Sequence, residues 1–366
     1  MMSEIQKFLP ADIPAVADLF MRIFRSRGEA APESLKIYFK ELYFNSPWND
    51  GTINSLVARR PDGTVAGFIG AMPRSMMLGE QEIRVVVAGN HMVDKGAREP
   101  FAGSNLLKRL LDGPQDLTFT DSANEISRRL WEKVGAATLL NYSLRWVRVL
   151  RPLSYSLSLT RMPSAVPALR ALLAPALSIG DGLGRLFVPP PDITAAGMLT
   201  ARPLTASLIV SGFKNIAGSR PLRPVYESEN VTWLLSMARA KEQFGELKAL
   251  AISERDEPLG WYLYYGHRGD TAQVLQVAAR PESMMRVLNH LFVSAYAEGC
   301  TALMGMLDPR FIREYHAQKC IIVLRDMYTV AHSRNRDVLR PLLAGEAFLS
   351  RLDGEWWTRL QGDRFT

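Results

Sequence analysis

Only 2 of the 366 residues are cysteine, Cys300 and Cys320, and their spacing makes neither a metal-ligand pattern nor a disulfide framework. Nor is a staple needed: the length sets an expectation of two domains, each able to bury its own core. A run of ~20 apolar residues is also missing. The most apolar stretch, 166–187, is interrupted by Pro167, Arg170, Pro175 and Asp181, so no transmembrane segment is expected, although peripheral contact with a membrane surface stays open. No basic region followed by an apolar one is found at the start, so no secretory signal is expected, and the two unpatterned cysteines suit a reducing cytoplasm. Charge of one sign is scarce too. Lys and Arg number 44 against 37 Asp and Glu, a formal net charge of +7, and the bases are dispersed. Nucleic-acid backbones are tracked by runs of basic residues, so no nucleic-acid partner is expected; an anionic cofactor or an acidic polymer explains the excess equally well.

What is present is ordinary globular composition, 47% hydrophobic and 22% charged. Residues 5–8 read as a strand, and Asp12 as the cap of a helix whose apolar face is Val16, Leu19, Phe20, Ile23 and Phe24. Strand-like runs at 55–59 and 65–72 flank the turn Pro61-Asp62-Gly63 and make a hairpin. The most informative segment follows, VVVAGNHMVDKGAREPFAGSNLLKRLL over 85–111. Its β-branched start is a buried strand, its Gly/Pro-broken middle a loop, and the spacing of Leu106, Leu107, Leu110 and Leu111 an amphipathic helix. A loop at a helix N-terminus offers unpaired backbone N–H groups to a phosphate, so the segment points to a nucleotide-like cofactor, a plain strand-to-helix turn being the alternative. Next come a strand at 117–120, a helix opened by Ser122 and Glu125 as a capping box and closed by Gly135, and an alternating strand through Leu140, Tyr142, Leu144 and Trp146.

The same order returns later, with strands at 247–252, 259–265 and 273–278, a helix over 281–297, a strand at 302–307, a helix near 311–319 and a strand at 321–330. The expectation is an α+β protein of two tandem domains, each a mostly antiparallel mixed sheet flanked by helices. Residues 1–150 form a cofactor-binding domain and 224–334 a degenerate copy, joined by a Pro/Ala/Leu-rich helical connector over 151–223. Residues 335–366 form a helical tail, whose Trp356-Trp357 pair latches the domains or packs on the core. The aromatic strand Trp261, Tyr262, Tyr264, Tyr265 suits core packing better than stacking on a sugar or peptide.

At these residues the chain resembles the GNAT superfamily of acyl-CoA-dependent N-acyltransferases, and the recurrence looks like a tandem GNAT protein with two GNAT-like domains. The resemblance covers 3–150 well and 225–332 in outline. It implies that the family's Arg/Gln-x-x-Gly-x-Gly/Ala signature, whose amides hold the coenzyme A pyrophosphate, is Arg98-Glu99-Pro100-Phe101-Ala102-Gly103 here. Arg98 and Gly103 match, whereas Phe101 replaces a glycine. A bulky side chain resists the positive φ that glycine allows, so altered pyrophosphate docking is expected, with the amides of Ala102, Gly103, Ser104 and Asn105 available at the positive helix end. Asn124 matches the first residue of the Asn-x-x-Ala-x-x-Leu-Tyr pattern beside the pantetheine arm, with helix capping as its alternative. Trp131 stands where many relatives have a proton-donating Tyr, and an indole is not a useful acid. The resemblance puts Asn90, His91 and Met92 near the reacting carbonyl, the Met92 or Val93 amide serving as oxyanion donor. His91 is the candidate base, and Asp121, at a strand end, a second one whose competing role is capping. The matching stretch of the second half, Val277 to Ser283, has no glycine and is expected to bind no coenzyme A.

The implied co-substrate is acetyl-CoA or another acyl-CoA, without a metal, and the acceptor an amine on a small molecule, peptide or saccharide. Three functions stay open: acyl transfer by the N-terminal half, a catalytically silent acyl-CoA-binding or regulatory protein, favoured by Phe101 and Trp131, and Fem-like aminoacyl or peptidyl transfer. The last needs an electropositive channel that dispersed charge does not offer.

Overall fold

The helical spacing of Val16, Leu19, Phe20 and Ile23 produces α1 (Ile13–Phe24), and Leu35, Tyr38, Phe39, Leu42 and Tyr43 repeat it in α2 (Glu33–Tyr43), a helix additional to those expected. The computed structural model describes residues 3–25, 30–94, 101–159, 188–324 and 327–366. Helices α1 and α2 cover one face of a sheet in which β1 (Glu4–Lys7), β2 (Leu56–Arg59), β3 (Val65–Leu78), β4 (Gln81–Val93) and β5 (Leu117–Ala123) lie side by side. Pairing is antiparallel as far as β4 and parallel between β4 and β5. On the opposite face, α3 (Ala102–Leu111) buries Leu106, Leu107, Leu110 and Leu111 together with Trp131 of α4 (Glu125–Lys133).

The strand expected over 140–146 is divided. Its first part closes as a helical turn, α5 (Leu140–Ser143), because the Tyr142 and Ser143 N–H groups donate to the Leu139 carbonyl at 3.1 and 3.0 Å. Strand β7 (Leu144–Val149) starts after it, and β6 (Ala137–Thr138) precedes it. Past α6 (Pro152–Leu159), the stretch read as a helical connector also adds strands. Its described part contains α7 (Ile193–Gly197), β8 (Thr200–Pro203), α8 (Ala206–Ala217) and β9 (Leu222–Pro224), with β9 on β3 of the first sheet and β8 on the edge of the second. The apolar stretch 166–187 lies outside the described residues.

After α9 (Ser228–Arg239), the second sheet is built from β10 (Glu246–Glu254), β11 (Glu257–Gly266), β12 (Thr271–Ala279) and β13 (Ala302–Met306), with α10 (Met284–Ala297) between the parallel pair β12 and β13. Behind α11 (Ile312–Ala317), the strand expected over 321–330 also splits. Strand β14 (Ile321–Leu324) stays with the second sheet and β15 (Tyr328–His332) crosses to pair with β5 and β6 of the first. Strand β7 makes the reverse crossing, pairing with β13 and β14. The protein is thus α+β, with two mixed sheets flanked by helices and each completed by a strand from the other half of the chain. Trp261, Tyr262, Tyr264 and Tyr265 are all buried, as core packing requires.

The tail departs most from expectation. Helix α12 (Arg336–Ala344) stops at Gly345, whose φ of 74° ends it in the left-handed region, and 346–366 continue as turns instead of a helix. This segment runs over the α1/α2 face. Trp357 meets Trp233 edge-on at 6.0 Å, Phe365 meets Tyr38 at 5.6 Å, and the buried Lys241 ammonium donates to the carbonyls of Thr358 and Gln361 at 2.9 and 2.7 Å. No helix among the described residues is long and apolar enough to cross a membrane.

Candidate active site

Strands β4 and β5 pair only through Val85–Val87 and Leu117–Phe119, although β4 runs on to Val93 and β5 to Ala123. A bulge in β4 opens the gap: its register with β3 shifts between Phe68 and Gly70, and Asn90 takes φ 50°. Strand β5 slips in the same region against β15. Into this gap the tail inserts Glu355, which is 3% exposed. Its carboxylate accepts hydrogen bonds from Thr120 Oγ1 at 3.0 Å, from Ser122 Oγ, from Gln361 Nε2 at 3.3 Å and from the Asn90 backbone. Any side chain at Gly89 would overlap this carboxylate, and any at Gly354 would overlap Asp121.

Asp121 accepts from the Glu355 N–H at 2.8 Å, while its Oδ2 is buried without a partner. Two buried carboxyls therefore share one space. Burial raises Asp121 to about 6, and burial together with the Asp121 charge raises Glu355 to about 7. Asn90 Nδ2 donates to the Tyr43 hydroxyl at 3.0 Å, which fastens the bulge to α2. Glu355 was not found from sequence, because nothing near position 355 marks a chain segment that returns to β4 and β5 across the whole molecule.

The remaining candidates lie around the start of α3, except Asn124 at the start of α4 and Arg98, which falls outside the described residues. Phe101 adopts φ 75° as the N-cap of α3, so the positive φ expected to be resisted is present, and the side chain escapes a clash by standing 75% exposed. Of the four amides expected to be available, Asn105 is not: its N–H donates to the Phe101 carbonyl at 2.9 Å as the first helical bond. For Ala102, Gly103 and Ser104 no backbone acceptor is found among the described residues, as expected of the first turn of a helix. Left-handed φ costs an L-residue roughly 1–2 kcal/mol, whereas glycine costs unfolded-state entropy of similar size. Phe101→Gly should accordingly change unfolding free energy by less than about 1 kcal/mol, and a urea titration showing a loss above about 2 kcal/mol would contradict this.

Val93 packs against Gly103, and Met92 is buried in the α1/α2 core. The His91 ring also lies by Gly103, on the α3 side, with Nε2 buried and unpaired, and burial lowers its pKa to about 4. An imidazole with that value is a weak base. Asn124, not Ser122, caps α4, accepting the Ser127 N–H at 2.9 Å. Among the described residues no group of His, Cys, Asp and Glu is placed to hold a metal ion.

No protein-family model matches the chain, and no curated protein matches its sequence. Solved structures do. A probable N-acyltransferase from Enterococcus faecalis V583 superposes with TM-score 0.59 at 9% identity, over 93% of this chain and 74% of that one. A GCN5-related N-acetyltransferase from Anabaena variabilis ATCC 29413 gives 0.57 at 12%, over 89% and 72%. Another from Kribbella flavida gives 0.54 at 15%, over 93% and 72%. The chain has the fold of the GCN5-related N-acetyltransferases.

Proposed function

We propose that the protein is an N-acyltransferase that moves an acyl group, acetyl in the simplest case, from acyl-CoA to an amine. In this reading the two sheets are tandem GNAT-like copies, and only the first is catalytic. The second lacks a glycine turn after β12, and the Trp146 indole lies over Gly305 and donates to the Met306 carbonyl at 3.1 Å beside the place where β12 and β13 part. The diphosphate docks on the amides of Ala102, Gly103 and Ser104 with Arg98 beside it, and pantetheine enters between β4 and β5 past Asn124. The thioester then reaches Asn90, Met92 and Val93. The acceptor approaches from the α1/α2 face.

An ammonium group beside Asp121 passes a proton to Glu355, and the neutral nitrogen attacks the thioester carbonyl. Collapse of the tetrahedral adduct forms the amide and expels the thiolate, which takes up the second proton given up by the attacking nitrogen; a thiolate leaves far more readily than an alkoxide, so the missing tyrosine acid at Trp131 is tolerable. The single observation carrying this reading is the Glu355 carboxylate in the strand gap, with a pKa of about 7. A second reading, a silent acyl-CoA sensor, draws on the same residue, because its carboxylate and four donors fill the space a thioester would need.

Thiol release from acetyl-CoA across a panel of small-molecule, peptide and aminosugar acceptors separates the two. Turnover with any acceptor supports the enzyme; binding without turnover leaves the sensor. Arg98→Glu should weaken acetyl-CoA binding by at least ~10-fold in calorimetry, and unchanged affinity would remove the diphosphate from this turn.

A further inference from the structure

On the face where Glu355 enters, β3 carries a second group with unmet bonds. Arg74 is 8% exposed, and its Nη1 donates to the Pro73 carbonyl at 2.8 Å, yet Nε and Nη2 have no partner. The guanidinium lies 4.1 Å from the ring centre of Trp48 and 5.8 Å from that of Trp233. Trp48 Nε1 is also buried and unpaired. Arg74 and Trp48 line one small cavity between β3, β9 and the tail, with Tyr226 and Asp353 opposite.

The negative groups nearby are already engaged. Asp353 accepts from the Ser350 N–H at 2.9 Å, the Ser350 hydroxyl at 2.6 Å and the Tyr226 hydroxyl at 2.5 Å, and burial pushes its carboxyl up. Glu41 accepts the Trp233 N–H at 2.9 Å. Every buried polar atom left unpaired around the cavity is therefore a donor, and a buried donor without an acceptor costs free energy. The site asks for oxygen.

We propose that this cavity receives a carboxylate carried by the acceptor, so that the substrate of the transferase is an amine bearing a carboxylate at its far end. The inference rests on the acyltransferase reading for the position of the amine. Room for about one water-sized group fits one carboxylate oxygen, reaching in past the partly exposed Trp48, Val225 and Tyr226. Arg74 stands opposite Val85, whereas Glu355 meets β4 at Gly89, four residues further on, or about 13 Å of strand. An amine at Glu355 and a carboxylate in this cavity therefore belong to opposite ends of an elongated acceptor, an ω-amino acid or a short peptide, and not to an α-amino acid.

The test is a titration of the full-length protein, without acyl-CoA, following tryptophan fluorescence with 6-aminohexanoate, its amide and hexylamine as probes. The carboxylate should bind at least ~10-fold more tightly than the other two, and Arg74→Met should abolish that difference. Equal binding of the three probes, or an unchanged preference in Arg74→Met, would overturn the proposal and leave a resident water as the acceptor. Should Arg74→Met fail to fold, Trp48→Phe decides: it keeps the ring and removes one donor, so a several-fold weaker carboxylate supports the site and an unaltered one overturns it. A carboxylate-selective protein that releases no thiol would keep this cavity and sink the transferase. Thiol release without carboxylate preference would do the opposite.

Discussion

Glu355→Gln should lower kcat for acyl transfer by about 10²- to 10⁴-fold, the usual contribution of a positioned base, while acetyl-CoA affinity stays within about twofold. The amide is nearly isosteric and can still bond Thr120 and Ser122, so the tail should keep its place. What is lost is a proton acceptor. With a pKa of about 7, Glu355 is protonated at low pH and ionised above neutrality, and only the ionised form takes a proton from the ammonium. The rate in the unsubstituted protein should therefore rise with pH through about 7 and level off. In Glu355→Gln that limb should vanish, leaving a low and flatter profile. Thiol release measured from pH 5.5 to about 9 reads both effects. Full activity in Glu355→Gln, or an unchanged limb, would take the base away from the tail.

The second large effect is on stability. Asp121 and Glu355 move upward on folding, from 3.8 to about 6 and from 4.5 to about 7. Between those limits the folded state binds more protons than the unfolded state, so stability falls as pH rises. The pair's contribution is fully present below about pH 4 and is lost as pH passes 6 to 7. One pKa unit corresponds to 1.36 kcal/mol, which puts each substitution, Asp121→Asn or Glu355→Gln, at roughly 3 kcal/mol of added stability at pH 8. The advantage should shrink toward zero below pH 5. Urea unfolding at both pH values checks this, and variants no more stable than the unsubstituted protein at pH 8 would show that these carboxyls are not held at a cost. A site that is costly to the fold and useful to the reaction is a familiar trade between stability and activity.

Much of the first sheet was legible because its cues are local. The β-branched run at 85–87, the Pro61-Asp62-Gly63 turn and the leucine spacing of α3 act over a few residues, and each produced the expected element. At the cap of α3 the sequence points the other way: Phe101 is expected to resist a positive φ, yet the left-handed cap normally made by glycine is present with an aromatic residue because solvent accommodates the ring. What escaped depends on contacts distant in sequence. Nothing in 321–330 reveals that β14 and β15 belong to different sheets, since both read as strand and only pairing partners decide. The tail is expected from sequence to be helical, yet Ser350, Arg351, Asp353 and Glu355 find polar partners on or beside both sheets and turn it away from a helix. The base proposed here leaves no local signal for that reason, whereas His91, which carries one, is turned toward α3 by alternation.

A crystal grown with acetyl-CoA is the most direct measurement. The diphosphate should lie on the Ala102–Ser104 amides, the pantetheine between β4 and β5, and the thioester carbonyl next to Asn90 with Glu355 on its acceptor side. Density for the cofactor anywhere else, or a strand gap still closed by Glu355 with the turn before α3 vacant, would contradict this assignment.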